Sequence, residues 1–587
     1  MGQVTRQKRE TDRQPEIPPP HKPAAKAPLA AWLAVAVLLA VLAGQCLLSM
    51  RVKSATFDEP YYFSSGYAYL AEGRFELNRE HPPLMKYLFG VPMLFLNSLP
   101  ADEIPNWADA HIFQPKYGAS FLFENRPDAD TILFGARCPT VMISLLLGFL
   151  VWTWTRQLYG NAAGLVALSL YCFSPNILAH SRLATLDLGL AAGIFAASYF
   201  LWRLYQQPTW RRALWAGLAL GAALLTKFTA VVFCGLIPIY LIAAMVRSLK
   251  MPPPSKPADQ QKKPDRRSRK QARRPRNRPQ APGINKLVRL VTTTTGVVAL
   301  AALIVAFAYG FGRFGIAEYV SGFKLGVLQR EYLTNPDYNS FCWGLYSGTG
   351  FWWYHFAAFL IKTPIPTLLL TAACVIWLVT RRPRRYYNEL FLVAPILLFF
   401  IITIPVKINF GLRYILPVYP LLFVLLAGTV AALWQSSRRR IYQVALPILG
   451  CWYVASTAWI HPNYIPYFNE LIGGPSNGIH YLDDSNIDWG QDLKQLAQYV
   501  RERELGPIKV LYQPQYLGKL AVGYYGIDGV KPSLREIQQP EQGWYAISTH
   551  MLQRDSLTRR SNIRFDWLER FKPEVVIGGS IHLYRFD

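Results

Sequence analysis

Long apolar runs recur along this chain, and most are long enough to cross a bilayer as a helix. Lipid offers no partner for unpaired backbone groups, so such runs are expected to be helical. One run, 212–247, would form a helix of about 54 Å against a hydrocarbon core of about 30 Å, which favours two spans meeting at Thr226–Lys227. The sequence therefore predicts eleven spans, near 29–50, 133–155, 161–179, 187–205, 212–226, 228–247, 287–310, 355–380, 388–405, 411–434 and 441–460.

Basic residues between these runs predict the orientation of the chain. If the N-terminus lies inside, every strongly basic short segment falls on the inner side, as the positive-inside rule requires. These segments are the N-terminal tail, the region around Arg156, and residues 210–212, 248–286, 381–385 and 438–440. The outer side then receives a first loop at 51–132, the segment 175–186, a loop at 311–354, the turn 407–410 and everything after 460.

The last 127 residues, 461–587, follow a different pattern. Residues 488–503 have an amphipathic helical pattern and 517–525 also read as a helix. Short β-branched or aromatic runs at 508–512, 545–549 and 575–584 indicate strands. The predicted fold is thus a polytopic α-helical membrane protein with about eleven transmembrane helices and a small C-terminal α/β extramembrane domain. Its parts are a disordered cytoplasmic tail (1–28), a transmembrane domain (29–460) and an outer domain (461–587).

Composition agrees with a mixed membrane and extramembrane chain. Of 587 residues, 52% are hydrophobic, and the mean hydropathy is +0.14. Between Arg247 and Lys286 there are 14 Lys or Arg against two Asp. This segment lies between spans and is rich in Pro, Gln and Ser, which favours a disordered loop near anionic lipid over nucleic-acid binding. The seven Cys lie mostly in spans and show no metal spacing. The first span lacks a clear cleavage site and is predicted to be retained.

Candidate chemistry gathers in the first outer loop. Asp58–Glu59 follow the first span, and a Glu-His-Pro-Pro-Leu-Met-Lys run occupies 80–86. A carboxylate beside the membrane can take a proton from a hydroxyl, although an acidic pair can also cap a helix. His81 and Lys86 can meet a phosphate as a donor and a point charge; the alternative for their run is a turn before an interfacial helix.

These motifs resemble the protein O-mannosyltransferases of the GT-C glycosyltransferase superfamily, whose plan the bacterial lipid A aminoarabinose transferases share. Three further segments resemble family motifs in the same order: the Arg/Asp motif at 182–187, a Gly-rich helix ending in Lys at 217–227, and Arg-Tyr-x-x-Pro at 413–417. The topology predicted from hydropathy and charge places all of them on one face. The chain departs from the family in having Glu80 where the motif has Asp, and in showing no β-trefoil insertion.

The resemblance implies a GT-C fold over about 29–460, a polyprenyl-phosphate sugar donor, and transfer on the outer face with inversion. It makes Asp58 the catalytic base and Glu59 its neighbour. Snorkelling of Lys227 and Arg413 to the interface, and helix capping by Asp187, remain alternatives. The donor or acceptor site implied by the resemblance comprises Glu80, His81, Lys86, Arg182, Asp187, Lys227, Arg413 and Tyr414.

The expected function is therefore a membrane glycosyltransferase of the bacterial inner membrane, acting on its periplasmic face. The acceptor is a hydroxyl of a protein, lipid or glycan, and no nucleic acid is expected as a partner. No cofactor is required. A divalent cation at Asp483, Asp484 and Asp488 is one alternative for the polar run 481–492, beside acceptor recognition and a helix-capping turn. The alternative functions are a glycan ligase or polymerase using a lipid-linked oligosaccharide, and a transporter or flippase of lipid-linked sugars. Transport is less favoured because no repeated halves are visible.

Overall fold

A computed structural model describes residues 27–96, 114–124, 128–250, 282–310, 315–333, 340–380, 387–512, 515–555, 565, 568 and 570–587. Most of the predicted tail 1–28, most of the basic loop 248–286 and all of 381–385 lie outside these residues. The α-helices are α1 (Leu29–Arg51), α2 (Glu59–Ala71), α3 (Leu84–Leu96), α4 (Gln114–Phe123), α5 (Ala129–Tyr159), α6 (Asn161–Cys172), α7 (Pro175–Ser181), α8 (Leu186–Gln206), α9 (Trp210–Leu224), α10 (Leu236–Lys250), α11 (Pro282–Ala308), α12 (Gly315–Leu333), α13 (Tyr354–Lys362), α14 (Ile365–Thr380), α15 (Leu390–Thr403), α16 (Val418–Trp434), α17 (Arg439–Ile460), α18 (Leu493–Glu502), α19 (Gln515–Tyr524) and α20 (Leu534–Gln538). The strands are β1 (Ser340–Cys342), β2 (Leu345–Ser347), β3 (Ile508–Leu511), β4 (Gly529–Val530), β5 (Gly543–Ser548), β6 (Val575–Ile577) and β7 (Ile581–Phe586).

Helices of membrane-spanning type dominate the described chain. By length and composition, α1, α5, α8, α11, α17 and the helical run Phe228–Leu249 can each cross a bilayer. The pair α6–α7, bent by 64°, and the pair α13–α14, bent by 118°, would each count as one more span. The remaining predicted runs form the shorter helices α9, α15 and α16. The helical membrane architecture is confirmed, and the chain is an integral membrane protein; the count of eleven spans stays a prediction.

The centre of the bundle is formed by α5, α6, α8 and α16, in which α5 and α16 each pack on the other three helices. Helix α16 is buried from Val418 to Thr429, and the indoles of Trp152 and Trp154 on α5 are buried against the same core. Outward-facing positions stay apolar: Val37, Met142 and Ile376 are each more than 60% exposed. Apolar side chains exposed in this way indicate a surface that lipid covers.

The helical run at 212–247 is interrupted near Thr226–Lys227, where the sequence predicts that two spans meet. Helix α9 ends at Leu224, and Lys227 has an extended backbone with φ −156° and ψ 138°. A 3₁₀ helix, Phe228–Gly235, then leads directly into α10. Lys227 therefore lies at a break between two helical segments.

The first outer loop folds into α2, α3 and α4 over one end of the bundle. Helices α2 and α3 cross at Gly66 and Gly90, where a Cβ on Gly66 would lie 1.9 Å from the carbonyl oxygen of Lys86. A Cβ on Gly90 would lie 2.4 Å from the carbonyl carbon of Gly66. Only glycine allows the two backbones to come this close. This crossing fixes the segments that carry residues 58 and 80–86 relative to each other.

The C-terminal part carries a five-stranded sheet in the order β4-β3-β5-β7-β6. Strand β3 is parallel to β4 and β5, whereas β7 is antiparallel to β5 and β6. The predicted small α/β region is thus present, with two local differences. The predicted strand 575–584 is a hairpin, because Gly578 and Gly579 turn the chain with φ of 64° and 87°. The helix predicted over 488–503 begins only at Leu493, because residues 488–492 form a turn that bonds to other segments.

Candidate active site

A cavity of about 950 Å³ opens at one end of the helix bundle, between the first outer loop, the helix ends and the C-terminal part. Many separated parts of the sequence meet there, from the first outer loop to the C-terminal part, and the larger part of its surface is apolar. Seven of the ten predicted site residues line it: Asp58, Glu80, His81, Asp187, Lys227, Arg413 and Tyr414.

Asp58 lies just before α2 and faces this cavity. Its Oδ2 forms an ion pair with Nη1 of Arg413 at 2.7 Å, and the hydroxyl of Tyr61 donates to its Oδ1 at 2.9 Å. The Arg413 guanidinium is held over the ring of Trp489 at 4.4 Å, and its Nε donates to the carbonyl of Phe410 at 3.1 Å. A carboxylate has about four lone-pair positions. Asp58 therefore retains acceptor capacity toward a molecule in the cavity.

Glu59 is the buried neighbour of Asp58, and it does not line the cavity. Its carboxylate accepts from Nε and Nη2 of Arg137 at 2.8 and 2.7 Å, from the amide of Thr56 at 2.8 Å and from the amide of Ala184 at 2.8 Å. Burial by itself would raise the pKa of Glu59, but the Arg137 charge and these hydrogen bonds outweigh it and the pKa is lowered. Glu59 thus fixes the chain on which Asp58 is carried.

The C-terminal part contacts the loop that carries Asp58. The amide of Phe57 donates to the carbonyl of Trp489 at 2.9 Å. Lys53 and Asp492 form an ion pair whose side chains are fully buried. Burial lowers the pKa of Lys53 to about 8, while the Asp492 charge opposes that shift. The loop before α2 is therefore pinned between the bundle and the C-terminal part.

Asp187 and Lys227 form a second ion pair in the cavity wall. Asp187 lies in the first turn of α8, where the helix dipole favours a negative charge. Its Oδ1 is 2.7 Å from Nζ of Lys227, which also lies 5.1 Å from the ring centre of Tyr414. The Lys227 side chain is 11% exposed. The break after α9 thus places an ammonium at the cavity wall with its position set by one carboxylate and one ring.

Glu80 and His81 line the cavity beside Asp58. The two oxygens of Glu80 accept from Nδ2 of Asn78 at 2.9 Å and Nε2 of Gln114 at 3.5 Å. The ring of His81 meets the ring of Tyr62 edge-on at 5.7 Å. Both motif residues are accordingly presented by the turn that precedes α3.

Lys86 and Arg182 lie beneath the cavity. The Lys86 ammonium donates to the hydroxyl of Tyr69 and to the carbonyls of Asn78 and His81, at 2.6 to 2.7 Å. Burial lowers its pKa to about 7. Lys86 thus holds the turn that presents His81 and does not itself reach the cavity. Arg182 is fully buried, and its guanidinium nitrogens have no hydrogen-bond partner among the residues that the structure describes.

The C-terminal part contributes Asp484, Asp488, Trp489 and His550 to the cavity. Asp488 accepts from the amide of Gly490 at 3.1 Å and from the amide of His550 at 3.0 Å. Burial raises the pKa of Asp488 to about 7. Over the described ranges, no three His, Cys, Asp or Glu side chains are grouped as a metal site requires. The cation at residues 483, 484 and 488 remains an untested alternative.

Sequence reasoning missed several residues that build this site. Arg137 gave a signal, because it is a charge inside the predicted span 133–155 and such charges are functional candidates. Trp489 stands in the polar run 481–492, but nothing in that run indicated a stack on Arg413. Tyr61 lies two residues after Glu59, and nothing in the local sequence indicates its bond to Asp58. Their roles depend on partners distant in sequence.

Comparison with known proteins bears on the central segment. Residues 130–255 match the family model described as dolichyl-phosphate-mannose-protein mannosyltransferase. The segment runs from the start of α5 past the end of α10 and includes Asp187 and Lys227. The resemblance predicted from the motifs is confirmed over these residues. No curated protein matches the sequence of the chain.

Solved structures similar to the chain share little sequence with it. ArnT from Cupriavidus metallidurans bound to undecaprenyl phosphate has 13% identity over 94% of this chain and 97% of its own, with a TM-score of 0.44. The Archaeoglobus fulgidus oligosaccharyltransferase in the apo form has 11% identity over 89% of this chain and 70% of its own, with a TM-score of 0.48. AglB from the same organism, in complex with an inhibitory peptide and a dolichol-phosphate, has 10% identity over 89% and 70%, with a TM-score of 0.43.

Proposed function

We propose that this protein is an inverting membrane glycosyltransferase that moves a sugar from a polyprenyl-phosphate donor to an acceptor hydroxyl. The observation that carries the proposal is one cavity in which the Asp58 carboxylate lies beside the cations of Arg413 and Lys227. The family match over residues 130–255 supports it. The proposed location is the bacterial inner membrane with the cavity on the periplasmic face, in agreement with the basic segments predicted on the opposite side.

In the proposed reaction the donor phosphate takes hydrogen bonds from Lys227 and Arg413, with His81 nearby. The anomeric carbon–oxygen bond to phosphate breaks, and its electron pair stays on the phosphate. Fixed cations offset the negative charge that builds there, which is often the largest catalytic term. Phosphate is a good leaving group, so no general acid and no metal ion is needed. The products are the glycosylated acceptor and the polyprenyl phosphate.

Asp58 is the proposed base. It takes the acceptor hydroxyl proton as the acceptor oxygen forms its bond to the anomeric carbon on the face opposite the phosphate, and the configuration inverts. The ion pair with Arg413 links proton removal by Asp58 to binding of the phosphate, since the same guanidinium contacts both the base and the proposed phosphate position. Glu59 is the proposed positioning residue, because its bonds to Arg137 hold the start of α2.

An apolar wall gives the donor lipid a place to lie. Beyond Lys227 the cavity is lined by side chains of the 3₁₀ helix after α9, of α12, and of the end of α15 with the segment that follows it. Phe323 and Val327 of α12 are also about 40% exposed. Apolar clefts with a few placed polar groups are typical ligand sites. The residues of this wall are Phe228, Val232, Phe323, Val327, Ile402, Pro405 and Val406.

The test is transfer of radiolabel from synthetic polyprenyl-phosphate sugars to a total membrane extract by the purified protein in lipid. Wild type and the control Glu76→Gln, at a half-exposed glutamate of the same loop, are expected to label a new species. Asp58→Asn is expected to lose about 10²–10⁴ of the rate while melting normally. Wild-type turnover in Asp58→Asn would exclude the assigned base. If folded wild type transfers sugar from none of the donors, the proposed function is contradicted. If it uses only donors that carry an oligosaccharide, the protein is a ligase.

A further inference from the structure

The guanidinium of Arg413 is attracted by carboxylates that belong to several elements. Its Nη1 donates to Oδ2 of Asp58 at 2.7 Å, and its Nε donates to the carbonyl of Phe410 at 3.1 Å. The charges of Asp187 and Asp484 also act on it. An arginine side chain has many rotamers, so charge attraction alone does not determine which carboxylate the guanidinium faces. A further contact has to fix its orientation.

The indole of Trp489 supplies that contact. The guanidinium carbon of Arg413 lies 4.4 Å from the centre of the indole ring. A guanidinium is attracted by an aromatic face, and the attraction is larger where water is excluded. Here the Arg413 side chain is 13% exposed and Trp489 is 6% exposed. The ring therefore restricts the guanidinium to the position from which it reaches Asp58.

The indole is itself held in place through its ring and through its backbone. The ring of His180, on α7, meets the indole edge-on at 6.2 Å. The backbone amide of Trp489 donates to Oε1 of Gln491 at 2.8 Å, and its carbonyl accepts from the amide of Phe57 at 2.9 Å. Trp489 is thus a fixed surface against which Arg413 is placed.

The segment 489–493 is also fastened to the loop that carries Asp58. The amide of Ser54 donates to the carbonyl of Gln491 at 3.0 Å, and the amide of Leu493 donates to the hydroxyl of Ser54 at 3.0 Å. With the bond to the amide of residue 57, these contacts join two segments that lie more than 400 residues apart. One short segment of the C-terminal part therefore holds the loop of the proposed base with its backbone, and the partner cation with its ring.

A second group of Asp, Arg and Trp lies on the C-terminal sheet, away from the cavity. Nε of Arg585 donates to Oδ1 of Asp587 at 2.9 Å, and its guanidinium carbon lies 5.7 Å from the ring centre of Trp544. The side chains of Arg585 and Asp587 are 55% and 81% exposed. This group does not line the cavity. It is a chemically matched control for the group around Trp489.

We propose that Trp489 is a positioning residue for sugar transfer, whose indole places the Arg413 guanidinium between the Asp58 carboxylate and the donor phosphate. The inference rests on the proposed function, because it assigns Arg413 to the donor phosphate. The C-terminal part then supplies a component of the active site itself. Because Trp489 acts through Arg413, a substitution at Trp489 should matter only while Arg413 is present.

The test is a double-mutant cycle of Trp489→Leu and Arg413→Gln in the full-length protein in phosphatidylcholine nanodiscs. The two measured quantities are the affinity for undecaprenyl phosphate and the rate of label transfer from saturating polyprenyl-phosphate sugars to a membrane extract. Trp489→Leu alone should lower each by about tenfold. In the Arg413→Gln background it should change each by less than about twofold. Trp489→Phe keeps an aromatic face and should stay within about threefold of wild type, and Trp544→Leu should behave as wild type.

A general loss of stability would act in both backgrounds, so the cycle separates it from positioning. Additive effects, a Trp489→Leu variant that binds and transfers as wild type does, or an equal loss in Trp544→Leu would overturn the inference. Trp489→Met, whose flexible side chain fills irregular space, replaces Trp489→Leu if that variant does not fold.

Failure of the proposed function has a different signature. Wild type that binds undecaprenyl phosphate but transfers sugar from no donor would contradict that function, and the binding cycle would still decide whether Trp489 places Arg413. Wild type that does not bind undecaprenyl phosphate would overturn the inference as well.

Discussion

Two neighbouring layers of this protein contain the same kinds of charged residue. They differ in how much hydrogen-bonding capacity their side chains keep for a ligand. One layer faces the cavity and the other lies directly beneath it. In the lower layer the carboxylates and the lysines are bonded to protein atoms from several sides, whereas in the upper layer each charge has one ionic partner and an open side. The cavity wall consists of Asp58, Arg413, Asp187 and Lys227. The buried layer consists of the ion-paired residues Lys53, Glu59, Arg137 and Asp492, together with Lys86, which donates to a hydroxyl and two carbonyls.

The contrast is sharpest between two adjacent residues. Glu59 takes hydrogen bonds from three separate elements and is fully buried, while Asp58 takes one from Arg413 and one from Tyr61 at the cavity surface. The adjacent acids are therefore not a redundant pair. One fixes the backbone, and the other is left able to exchange a proton with a substrate.

The largest effect that separates the layers is expected from Glu59→Gln. The substitution leaves the fully buried guanidinium of Arg137 without its charged partner, and breaking a buried ion pair costs about 3–5 kcal/mol. Thermal unfolding in lipid should show a strong loss of stability, with Glu76→Gln unchanged as the control. If Glu59→Gln melts as wild type does, the buried pair of Glu59 and Arg137 does not stabilise the fold, and this difference between the two layers is contradicted.

Two lysines provide the next comparison. Lys227→Met should lower the transfer rate by about 10²–10³, as for other lost contacts to a developing anion, and should also lower the melting temperature, because it leaves the buried Asp187 without its cation. Lys86→Met should lower the melting temperature without removing a cation from the cavity wall, because three buried acceptors lose their donor. Rate and melting temperature measured on both variants check this. An equal rate loss without destabilisation in Lys86→Met would place Lys86 in the cavity wall.

The smallest effect concerns Asp488, where the sign depends on pH. Burial raises its pKa in the folded chain to about 7, from the ordinary value of about 3.9 for an aspartate. Between these values the folded state binds the proton more tightly, so this residue makes the free energy of unfolding fall as the pH rises from about 4 to 7. Asp488→Asn has no titrating carboxyl group at this position, so this contribution to the pH dependence of the free energy of unfolding is absent. The melting temperature of the variant relative to wild type should therefore increase from pH 5 to pH 8, and a constant or decreasing difference would contradict the raised pKa.

The helical membrane architecture follows from the apolar runs of the chain alone. Apolar runs of span length can satisfy their backbone groups in lipid only as helices, and the helices and bent pairs of the structure occupy those runs. The excess length of 212–247 similarly located the break at Lys227. The alternating pattern after residue 460 indicated the C-terminal sheet. In that sheet the turn at Gly578–Gly579 was not predicted, because the flanking runs are continuous in hydrophobicity.

Which charged residues face the cavity depends instead on long-range packing. Lys86, Arg182 and Lys227 belong to equally distinctive motifs, yet only Lys227 lines the cavity. The reason is that a side chain's free hydrogen-bonding capacity depends on partners brought from elsewhere, such as Arg137, which lies 78 residues from Glu59. The same holds for Trp489, which reaches Arg413 and Phe57 from the C-terminal part. Local patterns fix residue type and helix position, whereas long-range packing fixes the contacts that remain for a substrate.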